Sequence, residues 1–237
     1  IVDNFLYIWE LTNLNAKTMK TDRKWIVVRI DGKIAAISTD YRLLASISAA
    51  LARSSQGKSA RTKDKHKGKT EKGPVYGEIT ATAATLDEIW QMKQETSWED
   101  LMLFGTDFQK KVWRKLWELS HRYMAQSPGP ETATHKNEGT RLICYSDFAE
   151  LCQNRAGVRA VAHAIGLNPV SVIIPCHLVI PKESIDKIRD IHKKAEATIF
   201  KGDDLCINSI LSDSSIDFGE YALGRELKRE MIMRELT

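Results

Sequence analysis

Asn168-Pro169-Val170-Ser171-Val172-Ile173-Ile174-Pro175-Cys176-His177 is the stretch on which the reading of this chain turns. Three consecutive β-branched aliphatic residues, Val172-Ile173-Ile174, predict a short buried strand. Pro175 offers no N–H to a sheet ladder and marks the strand's exit. Cys176 and His177 then stand where the chain leaves the core. A thiolate is a strong nucleophile, and a neighbouring imidazole can take the thiol's proton. Adjacent side chains on extended backbone point to opposite faces, so a turn or a bridging water has to connect the two. The alternative is a structural cysteine, buried as a small hydrophobe.

Upstream, two short helices are expected. One runs from Ser146, as N-cap, to Cys152; the other runs from Gly157 to Ile165 and ends at Gly166. Their tight connection suggests a helix-turn-helix. Before them, Thr106 precedes Gln109 by three positions in a capping-box pattern. Phe108, Val112, Leu116 and Leu119 then recur at helical spacing with Trp113 and Trp117 beside them, which predicts a core helix. Gln126 to Gly139 reads as an inserted surface loop. Downstream, Lys182 to Phe218 is longer than the roughly 12–15 residues usual for a structureless connection, so it is expected to be an insertion with its own structure or disorder. A terminal helix is expected from about Gly224 to Leu236.

The first part of the chain has a different pattern. Trp25–Ile30 and Lys33–Ile37 flank Asp31-Gly32, a hairpin signal because a type I′ turn needs positive φ at both central residues. Tyr41 to Ala52 predicts a helix. Arg53 to Gly73 has no large apolar residue and reads as a disordered basic loop, a linker first and a DNA-contacting or nuclear-localisation segment second. The fold class expected is an α/β N-terminal domain, a small antiparallel sheet plus helix, over residues 1–98. A mostly helical C-terminal domain with a helix-turn-helix follows over 99–237, with insertions at about 122–140 and 182–218.

A formal net charge of +4 suits a polyanionic partner without demanding one. No apolar run approaches the roughly 18–20 residues of a membrane span, and no secretory leader is expected. None of the four cysteines shows C-x-x-C spacing, so no metal site is expected.

The segment 168–177 resembles the active-site segment of the O6-alkylguanine-DNA alkyltransferases, N-P-x-x-x-x-x-P-C-H-R-V, with Leu178 in place of the arginine and Val179 back in pattern. The resemblance extends through Phe104–Gln109, Val112-Trp113, Tyr145-Ser146-Asp147 and Val158–Val161, and forward to Tyr221, Gly224, Lys228 and Glu235. It implies a DNA-repair protein that transfers a methyl or small alkyl group from guanine O6, with O4-alkylthymine as a further substrate, to its own Cys176. The transfer occurs once and without cofactor. His177 would take the thiol proton through a water, Glu235 would orient His177, and Asn168 would tighten the turn. Tyr145 would help rotate the nucleotide out of the stack and protonate the departing guanine, because the target base has to be flipped out of the duplex. Arg159 would fill the gap left behind. Ala160, Ala162 and Ala164 would let the second helix approach the minor groove closely, and Ser146 would contact the DNA. Val179, Tyr221 and Ala222 would line the substrate pocket. The partner implied is double-stranded DNA containing O6-alkylguanine, met by a monomer with no membrane association. The location implied is the nucleus in a eukaryote and the cytoplasm otherwise.

Leu178 removes a cation, and Ala222-Leu223 replace the small polar and glycine residues usual before the terminal helix. Those departures keep a non-catalytic damage-binding protein or a helix-turn-helix regulator open as alternatives. A cysteine hydrolase is a weaker one, lacking any second motif.

Overall fold

The computed structural model describes residues 24–39, 77–125, 142–197, 210 and 213–236. The helix expected at Tyr41–Ala52, the basic loop Arg53–Gly73 and the loop Gln126–Gly139 lie outside them. The chain divides into two compact units, Ile1–Phe104 and Gly105–Thr237.

In the first unit, β1 (Trp25–Ile30) and β2 (Lys33–Ser38) form the hairpin. Asp31 and Gly32 take φ of +50° and +80° at its turn, as that geometry requires. The Asp31 carboxylate also accepts from the backbone N–H of Gly77 (3.1 Å) and Glu78 (2.9 Å), which fixes the start of β3 (Ile79–Ala84). β3 pairs antiparallel with β1, so the sheet order is β2-β1-β3. β1 is central and buried on both faces; Ile26, Val28 and Ile30 pack with Ala35, Ala36 and Ile79, and Met102 and Phe104 close that side. Helix α1 (Leu86–Glu95) follows, capped reciprocally by Thr85 and Glu88. Neither β3 nor α1 was expected from the sequence.

The second unit begins with α2 (Asp107–Ala125). Its capping box is made: Thr106 N–H donates to Gln109 Oε1, and Gln109 N–H to Thr106 Oγ1. Val112, Trp113 and Leu116 are buried as expected, whereas Phe108, in the first turn, is exposed. β4 (Ile143–Cys144) leads into α3 (Tyr145–Leu151). Ser146 is not the N-cap that the sequence suggested. Cys144 holds that position, and the Ser146 hydroxyl lies 3.0 Å from Cys144 Sγ. A turn with Gln153 at φ +57° and a 3-10 turn, Arg155–Gly157, connect α3 to α4 (Val158–Gly166). The indole N–H of Trp113 donates to Ala164 O at 2.8 Å and fastens α2 to α4.

After α4 the structure corrects the expected strand. Val172-Ile173-Ile174 is buried but does not extend; it coils through turns, with Val172 at φ +73°. Its backbone donors are satisfied locally: Ile173 N–H bonds Ser171 O, and Ile174 N–H bonds Val170 O. With the Ile173 and Ile174 donors taken locally, β propensity loses to this closure. A 3-10 turn, Cys176–Leu178, then enters β5 (Val179–Ile180), which pairs parallel with β4.

The start of the expected insertion is a regular helix, α5 (Lys182–Ala197), and α6 (Arg225–Leu236) closes the unit. One apolar cluster joins Leu178 and Ile180 to Ile185 and Ile188 of α5, to Ile210, Ile216 and Phe218, and to Ile232 of α6. Leu178 is fully buried there and serves as core. Among the described residues no helix is long and apolar enough to cross a membrane.

Candidate active site around Cys176

Asn168 organises the site. Its Oδ1 accepts from Val170 N–H at 3.1 Å, while Nδ2 donates to Ile174 O at 2.7 Å and to Cys176 Sγ at 3.1 Å. One amide thus closes the loop on itself and aims both of its protons, one at the backbone and one at the sulfur. On the other side Cys176 Sγ lies 3.7 Å from the Tyr221 hydroxyl, which donates onward to Met231 Sδ at 3.5 Å. Cys176 is 6% exposed, enough to be reached but poorly solvated. Burial pushes its thiol pKa up, against the Asn168 and Tyr221 hydrogen bonds and the nearby Lys228 charge, which favour the thiolate.

The 3-10 turn separates the two neighbours. Cys176 faces Asn168 and Tyr221, while His177, fully buried, turns to α6, where its Nε2 is 3.1 Å from Glu235 Oε1. Glu235 is itself buried. Lys228 completes the interior: Nζ donates to Val179 O at 2.8 Å and lies 5.9 Å from the centre of the Tyr145 ring. Burial lowers its pKa from the usual 10.5 to about 8. Tyr145 is half-buried, and its pKa is raised by burial and then by the facing Cys176.

The structure therefore brings Cys176, Asn168 and Tyr221 into direct contact, and pairs His177 with Glu235. Val179 is buried beside them, and Ala222 is exposed at the rim. Arg159 and Ala160 lie exposed on α4, with Ala162 half-buried and Val161, Ala164 and Ile165 turned to the core. Ser146 is exposed on α3. Sequence reasoning gave Asn168 a turn-tightening role and missed its bond to the sulfur. It also missed the burial of Lys228, which only tertiary packing reveals. Among the described residues no group of three or more His, Cys, Asp or Glu could hold a metal.

Residues 138–197 match the family model for the 6-O-methylguanine DNA methyltransferase DNA-binding domain. A probable methylated-DNA–protein-cysteine methyltransferase of Acanthamoeba polyphaga mimivirus is 41% identical over 85 residues, covering 36% of this chain and 45% of that protein. The inducible methylated-DNA–protein-cysteine methyltransferase of Bacillus subtilis is 40% identical over 78 residues, 33% of this chain and 34% of that one. The similarity thus spans less than half the length of these relatives. The crystal structure of an O6-methylguanine-DNA methyltransferase from Pyrococcus kodakaraensis superposes over 91% of this chain and 94% of that one, at 18% identity and a TM-score of 0.40.

Proposed function

We propose that the chain repairs DNA by moving a methyl or other small alkyl group from guanine O6 to Cys176, once per protein molecule; the match of residues 138–197 to the 6-O-methylguanine DNA methyltransferase DNA-binding domain supports this reading. The observation that carries this is the sulfur's setting: a buried thiol held between an amide donor and a phenol, beside a buried cation. A thiol that burial keeps protonated needs a base to become a nucleophile. His177, paired with Glu235, accepts that proton through a water. The thiolate attacks the alkyl carbon, an S–C bond forms, and the C–O bond breaks with its electrons left on guanine. Tyr145, kept protonated by its raised pKa, donates a proton to the departing base. The product is a thioether, a poor leaving group, so the thiol does not return. Electrons and atoms balance without a cofactor. O4-alkylthymine offers the same ether chemistry and is a secondary substrate.

DNA is held by α3, its turn and α4 acting as a helix-turn-helix, with α4 laid in the minor groove. Arg159, exposed on α4, replaces the flipped nucleotide in the stack and offsets part of the few kcal/mol that unstacking costs. Ala160 and Ala162 allow close approach of the backbone, and Ser146 meets the strand from α3. The test is transfer of labelled methyl from a duplex containing O6-methylguanine. Cys176→Ala should bind the duplex and take no label, and label on that variant would place the nucleophile elsewhere.

A further inference from the structure

Tyr221 forms one wall of the Cys176 site, and the eight residues before it have no regular structure of their own. Such a segment would ordinarily yield to a bulky ligand, yet this one is fastened along its length. The Ser184 hydroxyl of α5 donates to Asp217 O at 2.5 Å, and the Lys187 ammonium donates to Ser215 O at 2.6 Å. Ser184, Lys187 and Ile188 are spaced i, i+3 and i+4, so one face of α5 supplies both bonds and the apolar contact beneath them. At the end nearest Tyr221, Gly219 lies so close to Pro181, the residue before α5, that a Cβ there would stand 3.0 Å from the ring. Gly219 also has φ +83°, and its N–H bonds the Asp217 side chain at 2.9 Å.

We propose that α5 is a brace that fixes the Tyr221 wall and thereby limits the group Cys176 can accept to small alkyl substituents, with Ser184 and Lys187 as positioning residues. Ser184 and Lys187 act at a distance, since their hydrogen bonds go to Asp217 O and Ser215 O and not to the sulfur, His177 or Glu235. What the brace adds is size discrimination. With the Tyr221 hydroxyl 3.7 Å from the sulfur, a methyl group is, in this proposal, accepted with the wall in place and a benzyl group only when the wall, and with it the α5 bonds, gives way. The DNA arm of the test rests on Cys176 being the alkyl acceptor; the width of the site does not, and can be read with simple thiol reagents.

The experiment compares the full chain with Ser184→Ala, Lys187→Met, the double variant and Ser184→Thr, which keeps the hydroxyl. Rates of Cys176 modification are measured with iodoacetamide and N-benzyliodoacetamide, which share one reactive group and differ in bulk, with the site followed by peptide mass mapping. The same proteins are then given duplexes bearing O6-methylguanine or O6-benzylguanine. The expected result is a benzyl-to-small rate ratio raised roughly tenfold in the double variant, equivalent to about 1.4 kcal/mol, with Ser184→Thr at the wild-type ratio. A structural role alone would slow or speed both reagents together, and that outcome, or an unchanged ratio, overturns the brace. A shifted reagent ratio in the variants, with a wild-type protein that takes no methyl from DNA, would uphold the brace and sink the repair function. Methyl transfer from DNA with unshifted ratios would do the reverse.

Discussion

Replacing Asn168 by Asp changes one atom's chemistry at the centre of the site and almost nothing in its shape. The carboxylate keeps the acceptor for Val170 N–H but turns a two-proton donor into an acceptor facing Ile174 O at 2.7 Å and Cys176 Sγ at 3.1 Å. Each lost donation costs about 1 kcal/mol, more where a buried partner is left unsatisfied. A charge at 3.1 Å from the sulfur would oppose thiolate formation by about 5 kcal/mol at an effective dielectric near 20. That cost is avoided if the new carboxyl, at a position only 4% exposed, stays protonated. A protonated Asp has one O–H for two acceptors and loses one contact, while the ionised form donates to neither. The sign of the pH effect follows. The carboxyl's folded pKa is raised above the unfolded value near 3.9, so the folded state holds an extra proton between the two values. The destabilisation therefore grows as pH rises from about 4 up to the folded pKa. Asn168→Asp should lose about 3 kcal/mol at pH 7.5 and less at pH 5 in urea denaturation, and its Cys176 should react with iodoacetamide more slowly than wild type at every pH below 9. A variant as stable and as reactive as wild type at pH 7.5 would mean that the Asn168 amide does not organise the loop.

Lys228→Met should remove a pH dependence: the wild-type lysine, at about 8 folded against 10.5 unfolded, holds fewer protons when folded, so stability should rise by up to about 3 kcal/mol across that window and stay flat in the variant, read by denaturation at pH 7.5 and 10. Leu178→Ala should cost about 2–5 kcal/mol, because it opens a cavity where β5, α5 and α6 meet; a midpoint within a degree of wild type would place Leu178 outside the core. Arg159→Ala should slow repair in duplex DNA more than reaction with the free modified base, and equal slowing would make it a structural residue. His177→Ala should lower the single-turnover rate by about 10²–10⁴-fold, the usual worth of general-base assistance, and Glu235→Gln should lower it without melting α6; a wild-type rate in His177→Ala at neutral pH rules out His177 as the base.

What could be read from the sequence was local. Asp31-Gly32 specified a hairpin because both residues tolerate positive φ, and Thr106 with Gln109 specified the start of α2 because the two cap each other across one turn. α3, α4 and α6 followed from short-range spacing. Cys176 and His177 stood out as candidates by their adjacency and by the resemblance of the segment around them; the adjacency did not show their separate partners, Asn168 and Tyr221 for the sulfur and Glu235 for the imidazole. What escaped was decided at a distance. β3 pairs with a strand some fifty positions earlier, and its alternating Ala and Thr carry little apolar signal, so only the register with β1 makes it a strand. Val172-Ile173-Ile174 has strand residues but not a strand, because Asn168 ties that loop to itself and no edge is left to pair. Lys228 looks like a surface lysine in a helix rich in charge, and becomes a buried cation only because Val179 offers its carbonyl.

The central claim is tested most directly by counting methyl groups. The protein is incubated with a several-fold excess of duplex containing labelled O6-methylguanine, and intact mass and peptide mapping are followed to completion. The account predicts that transfer stops at one methyl per protein molecule, all of it on the peptide carrying Cys176, with unmodified guanine left in the DNA. Continued turnover beyond one, label on any other residue, or DNA that stays fully methylated in the presence of folded protein would contradict it.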